Sequence, residues 1–338
     1  MWCDGITSLV LLVLLVFLLF ATPAPAQTTT AGILGNTGLW KVVTPDALEP
    51  GKVSASAWYD RIHRNPGDLT ASTTGFSAAV GIGRRFELGT AFEANKRVLV
   101  GQQDQLSFGQ QALGFFGNKT PGSLPLPGEL MPGSSLLPQL RSPATPNGSL
   151  TGAAGYYNLL PFAGLVHEGD GIGLVTAAVK WNILSQTRGA PVGFAVRGHF
   201  DVPIRKGIDY LLTHPVGTAD LQYGFDGILG RNFGDVAGVY LNAGYRHINQ
   251  PVHVSVIQLA DEAPISVGWN VPRTSRIQFV GETTAEIFIG SRTPNTTFGP
   301  EDPVDVALGL RFEVVPKFIV SAGYRPKNGF VIKAGFRQ

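Results

Sequence analysis

The chain has 338 residues, of which 44% are hydrophobic and only 15% are charged, whereas a soluble domain carries roughly 25% charged residues. The formal net charge is +2 and no run of like charge occurs, which excludes the clustered basic face of a nucleic-acid-binding protein. The single cysteine, Cys3, precedes the predicted mature chain, so disulfides, thiolate catalysis and cysteine metal sites are excluded there. The shortage of charge favours a non-aqueous neighbour.

The N-terminus has the pattern of an export signal. An apolar run at residues 6–21 precedes Ala24-Pro25-Ala26, which predicts cleavage after Ala26, removal of residues 1–26 and a mature chain that begins at Gln27. An uncleaved anchor is the alternative, although the run is short for a membrane-spanning helix of roughly 20 residues. Residues 27–50 are expected to form an N-terminal periplasmic segment.

From Gly51 onward the chain alternates apolar and polar side chains in segments of about ten residues, separated by glycine, proline, asparagine and aspartate clusters. In RIQFVGETTAEIFIG, for example, Ile277 and Phe279 share one face of a strand and Glu282 lies on the other. The pattern predicts twelve strands, an even number. They lie at approximately 51–61, 72–82, 86–96, 169–183, 192–204, 217–230, 236–248, 262–271, 276–290, 304–314, 317–326 and 329–338.

The predicted connections alternate in length. Tight turns at 83–85, 231–235, 272–275 and 316–317 alternate with longer connections at 61–71, 97–168, 205–216, 249–261 and 291–303. Short turns at one end and long loops at the other are typical of a barrel in the bacterial outer membrane. A secreted soluble β-sandwich or barrel is the alternative.

Two features favour an outer wall that is apolar. The polar faces carry full charges, and aromatic residues lie near strand ends, where membrane barrels have their girdles, for example Trp58, Trp181 and Trp269. The predicted fold class is therefore an all-β, antiparallel transmembrane β-barrel of about twelve strands at residues 51–338, located in the cell outer membrane. The segment 97–168, rich in proline, glycine and serine, is expected to be one long irregular loop that plugs or caps the barrel.

The stretch GFAVRGHFDVP places Arg197, His199 and Asp201 at every second position, so all three share one face of a strand. The same parity in the other strands gives a set of lumen-lining candidates. They are Glu87, Glu93, Lys180, Arg197, His199, Asp201, Asp220, Asp226, Arg246, Glu282, Glu286, Asp305, Arg311, Glu313, Arg325 and Lys333.

Charges of both signs inside a low-dielectric wall are expected to pair across neighbouring strands, because an unpaired buried charge is costly. A lattice of ion pairs in the lumen is thus the first interpretation of this set, and a pathway for a polar solute is the second. Catalysis is disfavoured, because His199 and Asp201 are expected about 6–7 Å apart along the strand, whereas a general-base pair needs about 3 Å. No enzymatic activity, cofactor or metal site is predicted.

Several stretches resemble the barrels of a bacterial outer-membrane group that includes the meta-pathway phenol-degradation transporter family, and the barrels of OmpA-like proteins. The likeness covers roughly residues 169–328 and a weaker segment at 35–60. The matching stretches are AAVKWNILSQTRGAPVGFAVRGHFDVP, GTADLQYGFDGILGRNFGDVAGVYLNAGY, VPRTSRIQFVGETTAE, VPKFIVSAGYRPKN and, more weakly, GNTGLWKVVTPDALEPGKVSASAWYD.

The resemblance implies a channel or passive transporter for small molecules, including hydrophobic or aromatic ones, without fixing the solute. It implies outer-membrane lipid, the barrel-assembly machinery and a small-molecule solute as partners, and no nucleic acid. A structural or surface-interaction barrel with a closed lumen is the alternative function.

Overall fold

The computed structural model describes residues 29–64, 68–100, 156–157, 160–161, 168–204, 221–249, 261–289, 304–326 and 328–338. The predicted signal peptide at 1–26, most of the predicted loop at 97–168 and the candidate Asp220 lie outside the described residues. None of the described residues belongs to a helix that is long and apolar enough to cross a membrane.

The described chain is almost entirely β-structure. In chain order its strands are β1 (Thr30–Ala31), β2 (Thr37–Gly38), β3 (Val53–Arg64), β4 (Leu69–Ile82), β5 (Phe86–Val100), β6 (Tyr156–Tyr157), β7 (Leu160–Pro161), β8 (Glu168–Gly171), β9 (Leu174–Leu184), β10 (Gly193–Pro203), β11 (Gln222–Phe233), β12 (Ala237–Ile248), β13 (Asp261–Val271), β14 (Ile277–Ile289), β15 (Val304–Val315), β16 (Phe318–Arg325) and β17 (Gly329–Arg337).

Twelve of these strands, β3–β5 and β9–β17, form a closed antiparallel barrel. Each pairs with the next along the chain, and β17 returns to β3, where Ile332 lies opposite Tyr59. The prediction of a twelve-stranded antiparallel barrel is confirmed. Of the short strands outside the twelve, β1 pairs with β2, β8 pairs with the end of β5 and β6 pairs with β7.

The two ends of the barrel differ, and we name them by their connections. At the short-turn end the connections are residues 83–85, 185–192, 234–236, 272–276 and 316–317, with a single 3₁₀ turn at Gln186–Arg188. At the long-loop end they are 65–68, 101–173, 204–221, 249–260, 290–303 and 326–328. The expected long connection at 61–71 is shorter than predicted, because β3 and β4 continue to pair as far as Arg64 and Leu69.

The barrel wall exposes apolar side chains and buries charged ones. Phe279 and Leu308 are 59% and 53% exposed on the outer face, whereas Glu282 on the lumen face is 3% exposed. This polarity is the reverse of a soluble protein and suits a wall that faces lipid, as the alternation predicted. One girdle prediction was wrong: Trp58 is 4% exposed and faces the lumen, because it shares the parity of Ile62 on β3.

Residues 29–50 lie inside the barrel, and we call this segment the plug. β1 and β2 pair as a short ladder within it, and Trp40 and Val42 pack against the lumen side chains Tyr240, Val280 and Val331. Residues 27–50 are predicted to lie in the periplasm, whereas the described part of this segment, residues 29–50, lies in the lumen. The physical reason is the apolar sequence LWKVV, whose burial in the lumen is favoured over exposure to water.

Candidate functional site in the barrel lumen

Glu282 on β14 holds the middle of the plug. Its carboxylate accepts hydrogen bonds from the backbone N–H groups of Trp40 at 2.7 Å, Lys41 at 2.9 Å and Val42 at 3.0 Å. Three successive N–H groups that converge on one anion form a concave anion site, and a carboxylate taken out of water needs such donors. Glu282 is therefore the hydrogen-bond acceptor that holds the plug backbone at residues 40–42.

A second buried carboxylate, Glu87 on β5, holds the start of β2. It accepts hydrogen bonds from the backbone N–H and the hydroxyl of Thr37, both at 2.8 Å, and pairs with Lys180 at 3.1 Å. The Lys180 ammonium in turn donates to the backbone carbonyls of Thr44 at 3.1 Å and Asp46 at 2.8 Å. Both charged side chains are 0% exposed. A buried ion pair is stable only when further hydrogen bonds satisfy its remaining donors and acceptors, and here the plug supplies those bonds.

Basic side chains bind other carbonyl groups of the plug. Arg197 on β10 donates to the backbone carbonyl of Leu34 at 2.8 Å and to the side chain of Asn36 at 2.9 Å. The same guanidinium pairs with Asp226 on the neighbouring strand at 2.6 Å. Lys333 on β17 donates to the carbonyl of Leu39. The plug is thus bonded to opposite sides of the wall.

Asn242 on β12 adds a neutral clamp to these charged contacts. Its side-chain oxygen accepts the backbone N–H of Val43 at 2.7 Å, and its side-chain nitrogen donates to the carbonyl of the same residue at 2.9 Å. This two-bond pairing imitates a β-ladder and fixes the plug in register against the wall.

His199 and Asp201 contact each other directly, with His199 Nδ1 3.1 Å from Asp201 Oδ2. The hydroxyl of Thr176 also donates to Asp201 at 2.6 Å, and Arg246 lies 3.8 Å from it while pairing with Glu262 at 2.9 Å. The predicted separation of about 6–7 Å was wrong for the side chains, because that spacing describes the backbone and the two side chains lean together. Their shared partners place the pair within the lumen ion-pair lattice.

A further group of charges includes the plug itself. Arg325 on β16 pairs with Asp60 and lies 3.3 Å from Asp305. The plug residue Lys41 reaches the same two carboxylates, at 3.5 and 3.8 Å. The charges of the wall therefore complement the charge of the plug.

The described candidates from the sequence fall into four groups. Glu87, Lys180, Arg197, Glu282 and Lys333 bind the plug; His199, Asp201, Asp226, Arg246, Asp305 and Arg325 take part in ion pairs; Glu93 and Glu286 line a cavity; and Arg311 and Glu313 lie toward the short-turn end.

Asp60 and Glu262 are among the lattice members that the sequence pattern did not reveal. Both lie near the long-loop ends of their strands, where strand boundaries are the least certain part of a sequence-based assignment. The parity rule applied to β3 and β13 over their full lengths would have found them.

A cavity of about 130 Å³ lies between the plug and the long-loop end. Its lining divides into an apolar part and a charged part. The apolar part consists of Ile33, Leu34, Val43, Trp58, Ile62 and Ala71, and the charged part of Lys41, Asp60, Glu93, Lys96, Arg197, Asp226, Arg246 and Glu286. A cavity of about 150 Å³ is known to hold one benzene molecule, so this one has the size for a single small ring.

At the short-turn end the mouth of the barrel holds a second cavity, of about 480 Å³. Its charged lining is mainly basic, with Lys52, Arg84, Arg188, Lys317 and Arg337 against Asp46 and Glu49. The plug separates this mouth from the smaller cavity near the long-loop end.

No known family model matches the chain, and no curated protein matches it. Among solved structures, the COG4313 outer membrane channel from Pseudomonas putida F1 is similar over 87% of this chain and 97% of its own, with 9% identity and a TM-score of 0.47. The Ralstonia pickettii toluene transporter TbuX is similar over 94% and 98%, with 9% identity and a TM-score of 0.36.

The β domain of the Bordetella autotransporter BrkA is also similar, over 86% of this chain and 99% of its own, with 11% identity and a TM-score of 0.37. The names of these similar structures denote a channel, a transporter and an autotransporter. The function of this chain has to be inferred from its own lumen.

Proposed function

We propose that the protein is an outer-membrane channel or passive transporter for small, predominantly apolar molecules, which pass one at a time when the plug moves. The observation that carries this proposal is the cavity of about 130 Å³ between the plug and the long-loop end, whose lining includes the apolar side chains of Val43, Trp58 and Ile62. An aqueous pore would present hydrated charges to solvent, whereas many of the described lumen charges, such as Glu87, Lys180, Arg197 and Glu282, bond the plug or each other.

The apolar side of the cavity supports a hydrophobic solute. Near the long-loop end Trp58, Ile62 and Val98 face the lumen, so this part of the lumen wall offers apolar contacts beside its charged groups. Apolar lining with a few converging polar groups is the usual composition of a small-molecule site. Arg246 and Glu286, on the opposite side of the cavity, would orient a polar substituent of the same solute.

Passage to the short-turn end requires a change in the plug, because Trp40 and Val42 fill the lumen between the two cavities. The plug is held to the wall by individual hydrogen bonds, by the ion pairs of Lys41 and by the packing of Trp40 and Val42, and water can replace the polar contacts. The wall itself is a continuous ladder that closes on itself between β17 and β3. Displacing the plug therefore disrupts fewer interactions than opening the wall.

The proposal includes the cellular route. The chain is exported by a signal that is cleaved after Ala26, is inserted by the barrel-assembly machinery, and places its short-turn end in the periplasm. The first and last barrel strands, β3 and β17, meet at the short-turn end, where the N–H of Gln338 donates to the carbonyl of Val53 at 2.8 Å. The short turns of outer-membrane barrels lie in the periplasm, which supports this orientation.

A structural barrel with a permanently closed lumen is the second candidate. The observation that favours it is that the plug and buried ion pairs such as Glu87 with Lys180 occupy much of the lumen. In that case the long connections would contact partners, and the cavity would be a packing defect.

Uptake of a neutral single-ring alcohol separates the two candidates. The mature protein would be placed in vesicles with a lipopolysaccharide outer leaflet, which slows the unassisted entry of apolar solutes. We expect uptake above that of protein-free vesicles, a strong decrease in Ile62→Asp because a carboxylate enters the apolar side of the cavity, and near-normal uptake in the matched variant Ile62→Leu. Uptake equal to that of protein-free vesicles for all three proteins would favour the structural barrel.

A further inference from the structure

The apolar outer face of the barrel is interrupted in one sector, near the long-loop ends of β3, β4 and β5. Outward-facing polar side chains there form successive rows across the strands, and we call them the outer polar sector. The rows are Tyr59–Thr74–Asn95, Arg61–Ser72–Arg97 and His63–Thr70, in the order of the β-ladder.

The opposite parity on β3 and β4 faces the lumen, which fixes the direction of the sector. On β3 the alternate residues Trp58, Asp60 and Ile62 line the lumen cavity, and on β4 the alternate residues Ala71 and Thr73 do so. Because successive side chains of a strand point to opposite faces, the residues of the sector point outward.

A β-bulge at Ala94 turns the side chains of β5 into the same sector. Thr74 pairs with Asn95 whereas Gly75 pairs with Glu93, so that Ala94 has no partner on β4. An extra residue in a strand reverses the alternation beyond it. Asn95 and Arg97 are therefore exposed on the outer face. The alternate residues Lys96 and Val98 are buried on the lumen side.

The outward faces of β10 and β14 stay apolar up to the long-loop end. Val202 and Ile204 near the end of β10 and Ile287 and Ile289 near the end of β14 are exposed. The ends of β12 and β13 also carry polar residues, His247 and Asp261, which pair at 3.0 Å, just as His63 of the outer polar sector pairs with Asp68 at 3.1 Å; the feature that sets the sector apart is its arginine row. The outer polar sector is thus a local feature of β3–β5.

The depth of the sector matches one membrane surface. Phe86, which stacks on Trp181 with ring centroids 6.1 Å apart, lies at the short-turn end of β5. Arg97 lies eleven residues further, one of them in the bulge, which with the rise and tilt of a barrel strand places it about 25 Å above Phe86. The apolar band of an outer-membrane barrel is also about 25 Å tall, so the arginine row lies at the head-group level of the outer leaflet.

We propose that the outer polar sector binds a phosphate group of the outer-leaflet glycolipid, the lipid A part of lipopolysaccharide. Arg61 and Arg97 flank Ser72 on adjacent strands, with their Cα atoms about 10 Å apart, and both guanidinium groups can reach one phosphate between them. Thr74 and Asn95 in the next row supply a hydroxyl and an amide for the sugar.

The charge of the row supports this occupant. The Nε of Arg61 has no hydrogen-bond partner among the described residues, but it is buried, so the side chain has to turn outward to present this donor to a phosphate. Asp170 on β8 is in register with Arg97, but with Arg61 on the other side the row still carries a net positive charge. Arginine binds phosphate in a bidentate geometry, which a protein surface uses for specific recognition.

Binding of diphosphoryl lipid A to the mature protein in detergent micelles, measured by native mass spectrometry, tests the proposal. We expect the double variant Arg61→Gln with Arg97→Gln to bind at least about tenfold more weakly, because each guanidinium–phosphate contact contributes on that order. The matched control Arg84→Gln with Arg85→Gln removes the same charge at the short-turn end and should bind as the wild type does. Dephosphorylated lipid A should bind the wild type as weakly as the double variant binds the intact lipid.

Three results would overturn the assignment: wild-type affinity in the double variant, an equal loss in the control, or equal binding of the dephosphorylated lipid. A dimer that forms without lipid and is lost in the double variant would also overturn it, by showing that the sector contacts a second copy. If the double variant does not fold, Thr74→Leu with Asn95→Leu replaces it, since these changes make the sector more compatible with lipid. That variant should fold and still bind lipid A more weakly than the wild type, and unchanged binding would contradict the proposal.

Discussion

Replacing Glu282 by leucine should release the plug. The substitution removes the acceptor of three backbone N–H groups, those of Trp40, Lys41 and Val42, and leaves these donors facing an apolar side chain. A hydrogen bond to a charged group contributes about 1.5–3 kcal/mol. The three contributions are not additive, so we take about 3 kcal/mol as the loss in the free energy that holds the plug in the lumen. A loss of that size raises the population of the unseated plug by about two orders of magnitude.

Single-channel recordings in a planar bilayer measure this population directly. We expect rare, brief openings in the wild type and frequent, long openings in Glu282→Leu, with the open conductance close to that of a protein lacking residues 27–50. The control is Glu313→Leu, the same substitution near the short-turn end, at a carboxylate that accepts the backbone N–H of Lys317. Wild-type opening statistics in Glu282→Leu, together with large conductance in the deletion protein, would refute the idea that these three bonds retain the plug.

Two further predictions concern stability. Lys180→Met leaves the buried carboxylate of Glu87 without its cation and should lower the free energy of unfolding by about 3–5 kcal/mol, measured by urea titration in lipid. Adding Glu87→Gln should recover part of this loss. Strictly additive effects of the two substitutions would contradict a coupling between the two residues. Leu308→Arg places a charge at mid-depth on the lipid-facing side and should cost about 2–4 kcal/mol, whereas Thr74→Arg in the outer polar sector should cost about 0–1 kcal/mol; equal costs would contradict the assigned depths.

The wall of the barrel could be predicted from the sequence because each strand has one face toward lipid and one toward a polar lumen. That boundary condition imposes a period of two, which is visible in stretches such as VDVALGLRFEV and survives without any knowledge of the partner strands. The alternation of short and long connections along the sequence then predicted that one end of the barrel has short turns and the other has long loops. Parity then placed Lys180 and Glu282 on the lumen face before any neighbour was known.

The plug could not be predicted in the same way. Residues 29–50 form only two two-residue strands, so they show no period, and their position depends on tertiary bonds from Glu87 and Glu282 to backbone N–H groups that every residue possesses. The bulge at Ala94 was also hidden, because one inserted residue reverses the parity of Asn95 and Arg97 without a change in composition. Trp58 was misplaced for a related reason: its position near a strand end suggested a girdle, but its parity put it in the lumen.

Locking the plug with a disulfide tests the central claim most directly. A Cβ added at Gly268 would lie 3.0 Å from the Cβ of Val42, near the spacing of roughly 3.5–4.5 Å across a disulfide, and the predicted mature chain contains no other cysteine. Uptake of the single-ring alcohol would be measured for Val42→Cys with Gly268→Cys before and after reduction, with the reduced protein as its own control. The account predicts uptake at the level of protein-free vesicles in the oxidised state and recovery after reduction, whereas equal, protein-dependent uptake in both states would contradict it.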